Sequence, residues 1–284
     1  MLDAAGVGRR AQMLETAGIE GSWLGDSLGG SLTRPDALEW LLVAGAATKE
    51  LEVGTAIYIL PPRNPVDLAQ RFLTLQALTR GRFTVGVGSG STRNTHDATG
   101  VSYEDRFHTL VTHLDVIKRL CNGEQVDKAN LHPWPSVVGG PPIVIGAWYS
   151  DIWLKKSAQE FDGWMASGGR TNLQTLREGI KRFRDLGGKR ALVATVAVDL
   201  GAPNRSMTDE ESVNLVCGFE EAQERVGKLA DLGFDDLLLW KTDHTQQRSI
   251  YEHDYTDEQL AQIRALLPRD GRKPYPDRKP GPRP

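Results

Sequence analysis

Residues 51–90 read LEVGTAIYILPPRNPVDLAQRFLTLQALTRGRFTVGVGSG, two apolar runs bracketing one amphipathic segment. Leu51 to Leu60 and Phe83 to Val87 are short runs with little polar alternation, the pattern of strands covered on both faces. Between them Leu68, Phe72, Leu75 and Leu78 recur at helical spacing, after a Pro-Pro-Arg-Asn-Pro turn and before Gly81. Strand, helix and strand in that order make one βαβ unit, and such a crossover makes the strands parallel. The second strand runs into Gly88-Ser89-Gly90, a Cβ-poor loop whose backbone amides can approach an anion.

The same alternation extends both ways. Upstream, Val7, Ala11, Leu14 and Ala17 stripe a helix that stops at Gly18, Gly21 to Asp26 reads as a short strand, and Pro35 opens a helix carrying Leu38, Leu41, Leu42 and Ala46. Downstream, a polar loop precedes a weak capping pattern at Ser102 and Asp105 and a helix striped by Leu110, Leu114, Ile117 and Leu120. Residues 122–142 hold too many Pro and Gly for a helix and read as an irregular insertion. Strands follow at Ile143 to Ile145, Gly163 to Ala166, Ala191 to Leu200 and Leu237 to Trp240. The helices between and after them carry Leu173, Leu176, Ile180 and Phe183, then Ala222, Val226 and Leu229, and finally Leu260, Ile263 and Leu266 behind a Thr256–Gln259 cap.

Seven strands, each expected to lead into a helix, predict an α/β fold, a (β/α)8 TIM-type barrel lacking its first strand. Either that strand lies upstream of Met1, or the barrel is open or closed by a partner chain. The expected organisation is one barrel domain over residues 1–267, with the insertion at 122–142. Residues 268–284 hold six prolines and a net charge of +4, and are expected to be a disordered tail.

Composition bounds the function classes. Across 284 residues, 39% hydrophobic and 25% charged content with a net charge of −3 describe a globular chain with no basic excess for nucleic acid. Cys121 and Cys217 are too few and too far apart for a disulfide framework or a Cys-x-x-Cys pair, which suits a reducing cytoplasm. No apolar run reaches the roughly 18 residues of a membrane helix, and no signal-peptide core is present.

No His-Glu-x-x-His, Gly-x-Ser-x-Gly elbow or Walker loop occurs, so metalloprotease, serine-hydrolase and ATPase readings fall. What remains is three amide-presenting loops at strand ends: Gly88-Ser89-Gly90, Gly146-Ala147-Trp148-Tyr149-Ser150 and Ser167-Gly168-Gly169-Arg170. Each alone reads as a turn after a strand, but three together, with the Ser150 and Ser167 hydroxyls, point to a phosphorylated ligand. Trp148, Trp164, Trp240 and Tyr58 either line an aromatic pocket or pack the core. Asp26 ends a strand and Arg106 opens a helix, positions suited to function or to salt bridges alike. A phosphate-binding aldolase or isomerase would need a Schiff-base lysine, for which Lys241 is the one candidate.

The chain resembles the luciferase-like monooxygenase superfamily of flavin- and deazaflavin-dependent barrel oxidoreductases. The marks are WLGD at Trp23 to Asp26, LEVGTA at Leu51 to Ala56, Arg63-x-Pro65, the run from Thr74 to Gly90, Arg106, PPIVIGA at Pro141 to Ala147, and FDGW at Phe161 to Trp164. The resemblance implies FMN or the deazaflavin coenzyme F-420 across the strand ends. Its phosphate would be held by Gly146, Ala147, Ser150, Ser167 and Gly168. Its ring would lie against Ala56, Ile57 and Tyr58, where many members carry a non-prolyl cis peptide, with Gly88, Ser89 and Gly90 nearby. The implied activity is reduced-FMN-dependent monooxygenation of a small organic substrate by dioxygen, with a separate flavin reductase and a homodimeric assembly. Deazaflavin-dependent hydride transfer is the close alternative, and a catalytically silent flavin-binding protein a third. Two departures stand out. Ser27 replaces the His that often follows the acid of WLGD, and Ser91 and Thr92 replace the acid that often follows Gly-x-Gly. Asp26, His96 and Arg106 are therefore the candidate catalytic residues.

Overall fold

The computed structural model describes residues 3–29, 34–148, 150–241 and 255–266; the expected tail at 268–284 and the side chain of Lys241 lie outside them. The described residues form two compact units, one of residues 3–16 and 20–143, the other of residues 17–19 and 144 onward.

The first unit opens with α1 (Ala4–Thr16), followed by β1 (Gly21–Leu24), α2 (Ala37–Ala47), β2 (Glu52–Ile59), α3 (Pro65–Leu78), β3 (Phe83–Gly88), α4 (Arg93–Thr99) and α5 (Arg106–Cys121). β1 pairs with β2 and β2 with β3, both in parallel, and the register sets Trp23 opposite Gly54. Gly54 has no room for a side chain: a Cβ there would meet the Trp23 ring at 2.4 Å. The helices start where side chains satisfy their free amides. Asp36, one residue after Pro35, accepts from Leu38 N at 2.8 Å, and Asn64 accepts from Val66 N with Pro65 in the first turn. Leu41, Val53, Phe72, Phe83 and Val85 are buried, with the Phe72 and Phe83 rings 6.0 Å apart. One Glu15 carboxylate oxygen accepts from Lys49, Glu50 and Leu51 N–H, fixing α1 to the lead-in of β2.

The second unit takes up β4 (Ile143–Gly146) from Val144 on, then α6 (Asp151–Gln159), β5 (Gly163–Ser167), α7 (Leu173–Asp185), β6 (Arg190–Asp199), β7 (Leu215–Val216), α8 (Phe219–Leu232), β8 (Asp236–Lys241) and α9 (Asp257–Leu266). β4 pairs with β5, β5 with β6, and β6 with β8, all parallel. Its core packs Leu154, Trp164, Ala166, Ile180, Phe183, Val193 and Leu229. The capping pattern at the last helix is formed in both directions: Thr256 N–H donates to Gln259 Oε1 and Gln259 N–H to Thr256 Oγ1.

All seven expected strands are present; β7 and α4 fall outside the expected alternation, while α6 is the helix it required after β4, with no apolar stripe to mark it. β7 has two residues, too few for any periodicity, and extends the β6 ladder at Val198 and Asp199. α4 lies in the stretch read as a polar loop. Its sequence RNTHDAT has no apolar stripe, yet Thr95 and His96 are buried and Gly100 closes it at φ 70°. α6 carries no long apolar repeat, and Leu154, Ser157 and Ala158 are its buried residues. The insertion at 122–142 contains a Val126–Ala129 bridge and one 3-10 turn, Pro135–Val137, beside Cys121, whose carbonyl accepts from Gly139 N–H.

Candidate functional site

In the first unit the carboxyl ends of β1 and β2 are joined through Asp26. Its Oδ2 accepts from Arg63 Nη1 at 2.6 Å and Ile59 N–H at 3.0 Å, and its Oδ1 accepts from Arg63 Nη2 at 3.1 Å. Asp26 N–H in turn donates to Ile57 O. The pair is well sheltered, with the side chains 4% and 13% exposed. Arg63 also donates to Ile59 O and lies 4.0 Å over the Tyr58 ring, whose hydroxyl donates to Asp36 at 3.1 Å. Burial pushes the Tyr58 phenol far above its ordinary value, so it stays protonated. The Asp26 carboxylate is thus spent on holding the 57–59 backbone. The peptide bond between Ala56 and Ile57 is cis, as the resemblance implied.

The other two candidate catalytic residues meet on one ring, Tyr103. The His96 ring stands edge-on to Tyr103 with centroids 5.2 Å apart, and the Arg106 guanidinium lies 3.8 Å over its face and 4.3 Å from Phe107. Tyr103 itself is tied to the loop after β3, its hydroxyl donating to Ser91 O at 3.2 Å. His96 is fully buried, and its Nδ1, 3.2 Å from Thr92 O, donates to that carbonyl. Two buried side-chain atoms in this cluster, His96 Nε2 and Arg106 Nε, have no hydrogen-bond partner. Gly90, at φ 77°, is wedged between Ile59 and His96. Ser89 and Gly90 are half-buried, while Gly88 O accepts from Leu60 N–H.

In the second unit the loops after β4 and β5 were the expected phosphate site. Ala147 is occupied on both sides, its N–H donating to Met165 O and its carbonyl accepting from Trp164 Nε1. Ser150 is the N-cap of α6 but makes no side-chain cap bond, so its hydroxyl stands at the helix start without capping it. The adjacent Asp151 is paired with Arg182, so its charge does not stand alone at that helix end. Ser167 is buried, with its hydroxyl 2.7 Å from that of Thr195; Gly168 is buried too, its N–H donating to Ala194 O at 2.8 Å. Arg170 adds a cation over the exposed Trp148 ring at 5.2 Å. Trp164 is wholly buried and packs on Phe183, so it serves the core, whereas Trp240 is exposed. The uncapped start of α6 suits a phosphate group; in the loop after β5 the amides of Gly168, Gly169, Arg170 and Thr171 are committed to Ala194 O, Thr195 Oγ1 and Ser167 O, so its hydroxyls are what it offers. Among the described residues no His/Cys/Asp/Glu cluster suits a metal, and no helix is long and apolar enough to cross a membrane.

These features define a parallel βα protein whose small, donor-rich loops sit at the carboxyl ends of its strands. Residues 2–200 match the family described as luciferase-like monooxygenase, and the chain belongs to that family. A 4-hydroxyprotoasukamycin monooxygenase of Streptomyces nodosus subsp. asukaensis is 29% identical over 162 residues, 52% of this chain and 43% of that protein. An F420-dependent glucose-6-phosphate dehydrogenase of Kineococcus radiotolerans is 32% identical over 166 residues, 52% of this chain and 48% of that protein. The matched stretch thus spans less than half the length of either relative. The crystal structure of monooxygenase RslO1 from Streptomyces bottropensis superposes with a TM-score of 0.70 at 15% identity, covering 93% of this chain and 91% of that one. The shared fold is the α/β barrel class of the luciferase-like proteins.

Proposed function

We propose that the chain is a flavin-type oxidoreductase, a reduced-FMN-dependent monooxygenase acting with dioxygen on a small organic substrate. The observation that carries this reading is the polar set of the second unit, the uncapped α6 start at Ser150 and the Ser167 and Thr195 hydroxyls, in a chain of the luciferase-like monooxygenase family. Ser150 and Ser167 would hold the cofactor phosphate; the amides of Ala147 and Gly168 are spent on Met165 O and Ala194 O, so these residues, with Gly146, would shape the loops around it. Ala56, Ile57, Tyr58, Gly88, Ser89 and Gly90 are the proposed ring contacts. When bound, the reduced cofactor supplies the electrons that activate dioxygen. Asp26 positions the β2 backbone through Arg63, and His96 Nε2 and Arg106 Nε are the polar atoms left for a reacting group. The sequence has no nicotinamide-binding fingerprint, which suits a separate flavin reductase as electron source, and family resemblance supports a homodimer.

The 32% identity to an F420-dependent dehydrogenase favours a second reading, hydride transfer with the deazaflavin coenzyme and no oxygen incorporation. Titrating the purified protein with FMN and with the deazaflavin, followed by absorbance and fluorescence, separates the two. Tight binding of the deazaflavin with none of FMN sinks the monooxygenase reading; binding of neither sinks both.

A further inference from the structure

β6 is regular except at one residue. Against β8, Val193 faces Leu237 and Val196 faces Leu239, so β6 carries one extra residue between these pairs. Thr195 there has a φ of 57°, in the left-handed region. A β-branched side chain is a rare occupant of that region, and bulges of this kind favour glycine. Glycine would keep the bulge without the steric cost; what threonine adds is a hydroxyl.

That hydroxyl is placed for use. Ala194 and Val196 are buried, yet Thr195 between them is exposed. On the other edge of β6 the ladder with β5 ends at Ser167–Ala194 and the ladder with β7 begins at Leu215–Val198, so Thr195 falls in the gap. In that gap its Oγ1 lies 2.7 Å from Ser167 Oγ and accepts from Gly169 N–H at 3.3 Å. Its own O–H is directed at the carbonyl of the preceding Ala194, 2.7 Å away. When Ser167 donates as well, two donors feed one hydroxyl oxygen, which polarises the remaining O–H and makes it a stronger donor. A ligand oxygen of high negative charge is the partner that gains most from such a donor.

We propose that Thr195 is a ligand-binding residue whose hydroxyl, turning from Ala194 O when the cofactor binds, donates to a phosphoryl oxygen, with Ser167 and the Gly169 amide behind it. This rests on the flavin-type reading above and adds a residue that the loop pattern did not single out. The left-handed backbone is the device that turns a strand side chain onto the neighbouring loop.

The test compares FMN with riboflavin, which lacks the phosphate, on wild type, Thr195→Gly and Thr195→Ser; where the protein takes the deazaflavin, that coenzyme and its phosphate-free chromophore are the pair. Thr195→Gly fits the left-handed backbone, so its thermal midpoint should equal or exceed that of wild type. Its affinity for FMN should fall roughly tenfold or more while riboflavin affinity stays level, because one hydrogen bond to a charged group is lost. Thr195→Ser should restore FMN affinity. Equal losses for FMN and riboflavin, a lowered midpoint with lowered affinity for both, or unchanged FMN affinity would each overturn the proposal. A wild type that binds neither cofactor overturns the function reading and this inference with it; a wild type that discriminates FMN from riboflavin as well as Thr195→Gly does overturns this inference alone.

Discussion

Replacing Asp26 by Asn separates a clamp from a catalyst. The carboxylate is 4% exposed and accepts three hydrogen bonds, two from Arg63 and one from Ile59 N–H. Removing one member of a buried ion pair costs about 3–5 kcal/mol, because the other charge is left without compensation. Asparagine keeps the shape and one acceptor oxygen, which recovers about 1 kcal/mol. Arg63 retains the Tyr58 ring and an Asp36 oxygen at 3.8 Å. The expected loss is therefore about 2–4 kcal/mol, read as a lowered urea midpoint at unchanged slope by circular dichroism. Adding Arg63→Met to Asp26→Asn should cost less than the sum of the single changes, since the stranded cation is gone. A loss under about 1 kcal/mol, with turnover abolished, would refute the clamp and return Asp26 to the list of reacting groups.

Other consequences follow from the same geometry. Burial raises the Glu15 carboxyl, but the amides of Glu50, Leu51 and Lys49 outweigh it and hold the group below its ordinary value of 4.5. A depressed value means stability that is full above the unfolded value and lost as pH falls through the folded one, so wild type should exceed Glu15→Gln in thermal midpoint at pH 7 and converge with it in acid; a pH-independent gap would contradict this. Gly90→Ala places a Cβ 2.9 Å from Ile59 Cγ2 and 3.1 Å from His96 Cε1 at φ 77°, and should cost about 2 kcal/mol or more in denaturation, an unchanged midpoint being the contrary result. Cys121 is buried and its thiol is pushed up to about 12 by that burial, while Cys217 is buried and shifted the same way. A thiol reagent at pH 8 should label both only after denaturant is added, and rapid native labelling would show that the packing around them is wrong.

The strands were legible because a strand covered on both faces needs a continuous apolar run, as in Val53, Val85 and Ile143 to Ile145. β7 was not, since its two residues owe their conformation to β6 rather than to any local pattern. α4 escaped for a related reason: a seven-residue helix is held by tertiary burial of Thr95 and His96, with no stripe to read. The ligand loops announced themselves through glycine and serine after strands, and Asp26 through its place at a strand end. Its role did not, because the partner Arg63 lies 37 residues away and meets it only through the parallel pairing of β1 and β2. Thr195 carried no signal, being one β-branched residue in a β-branched strand; only its backbone conformation marks it.

The most direct test of the central claim is a crystal structure of the purified protein with bound FMN. The account predicts the phosphate oxygens within roughly 2.7–3.2 Å of the α6 N-terminal amides and the Ser150 hydroxyl, with Thr195 Oγ1 also in contact. A complex in which the phosphate binds elsewhere and leaves the loops after β4 and β5 unengaged would contradict it.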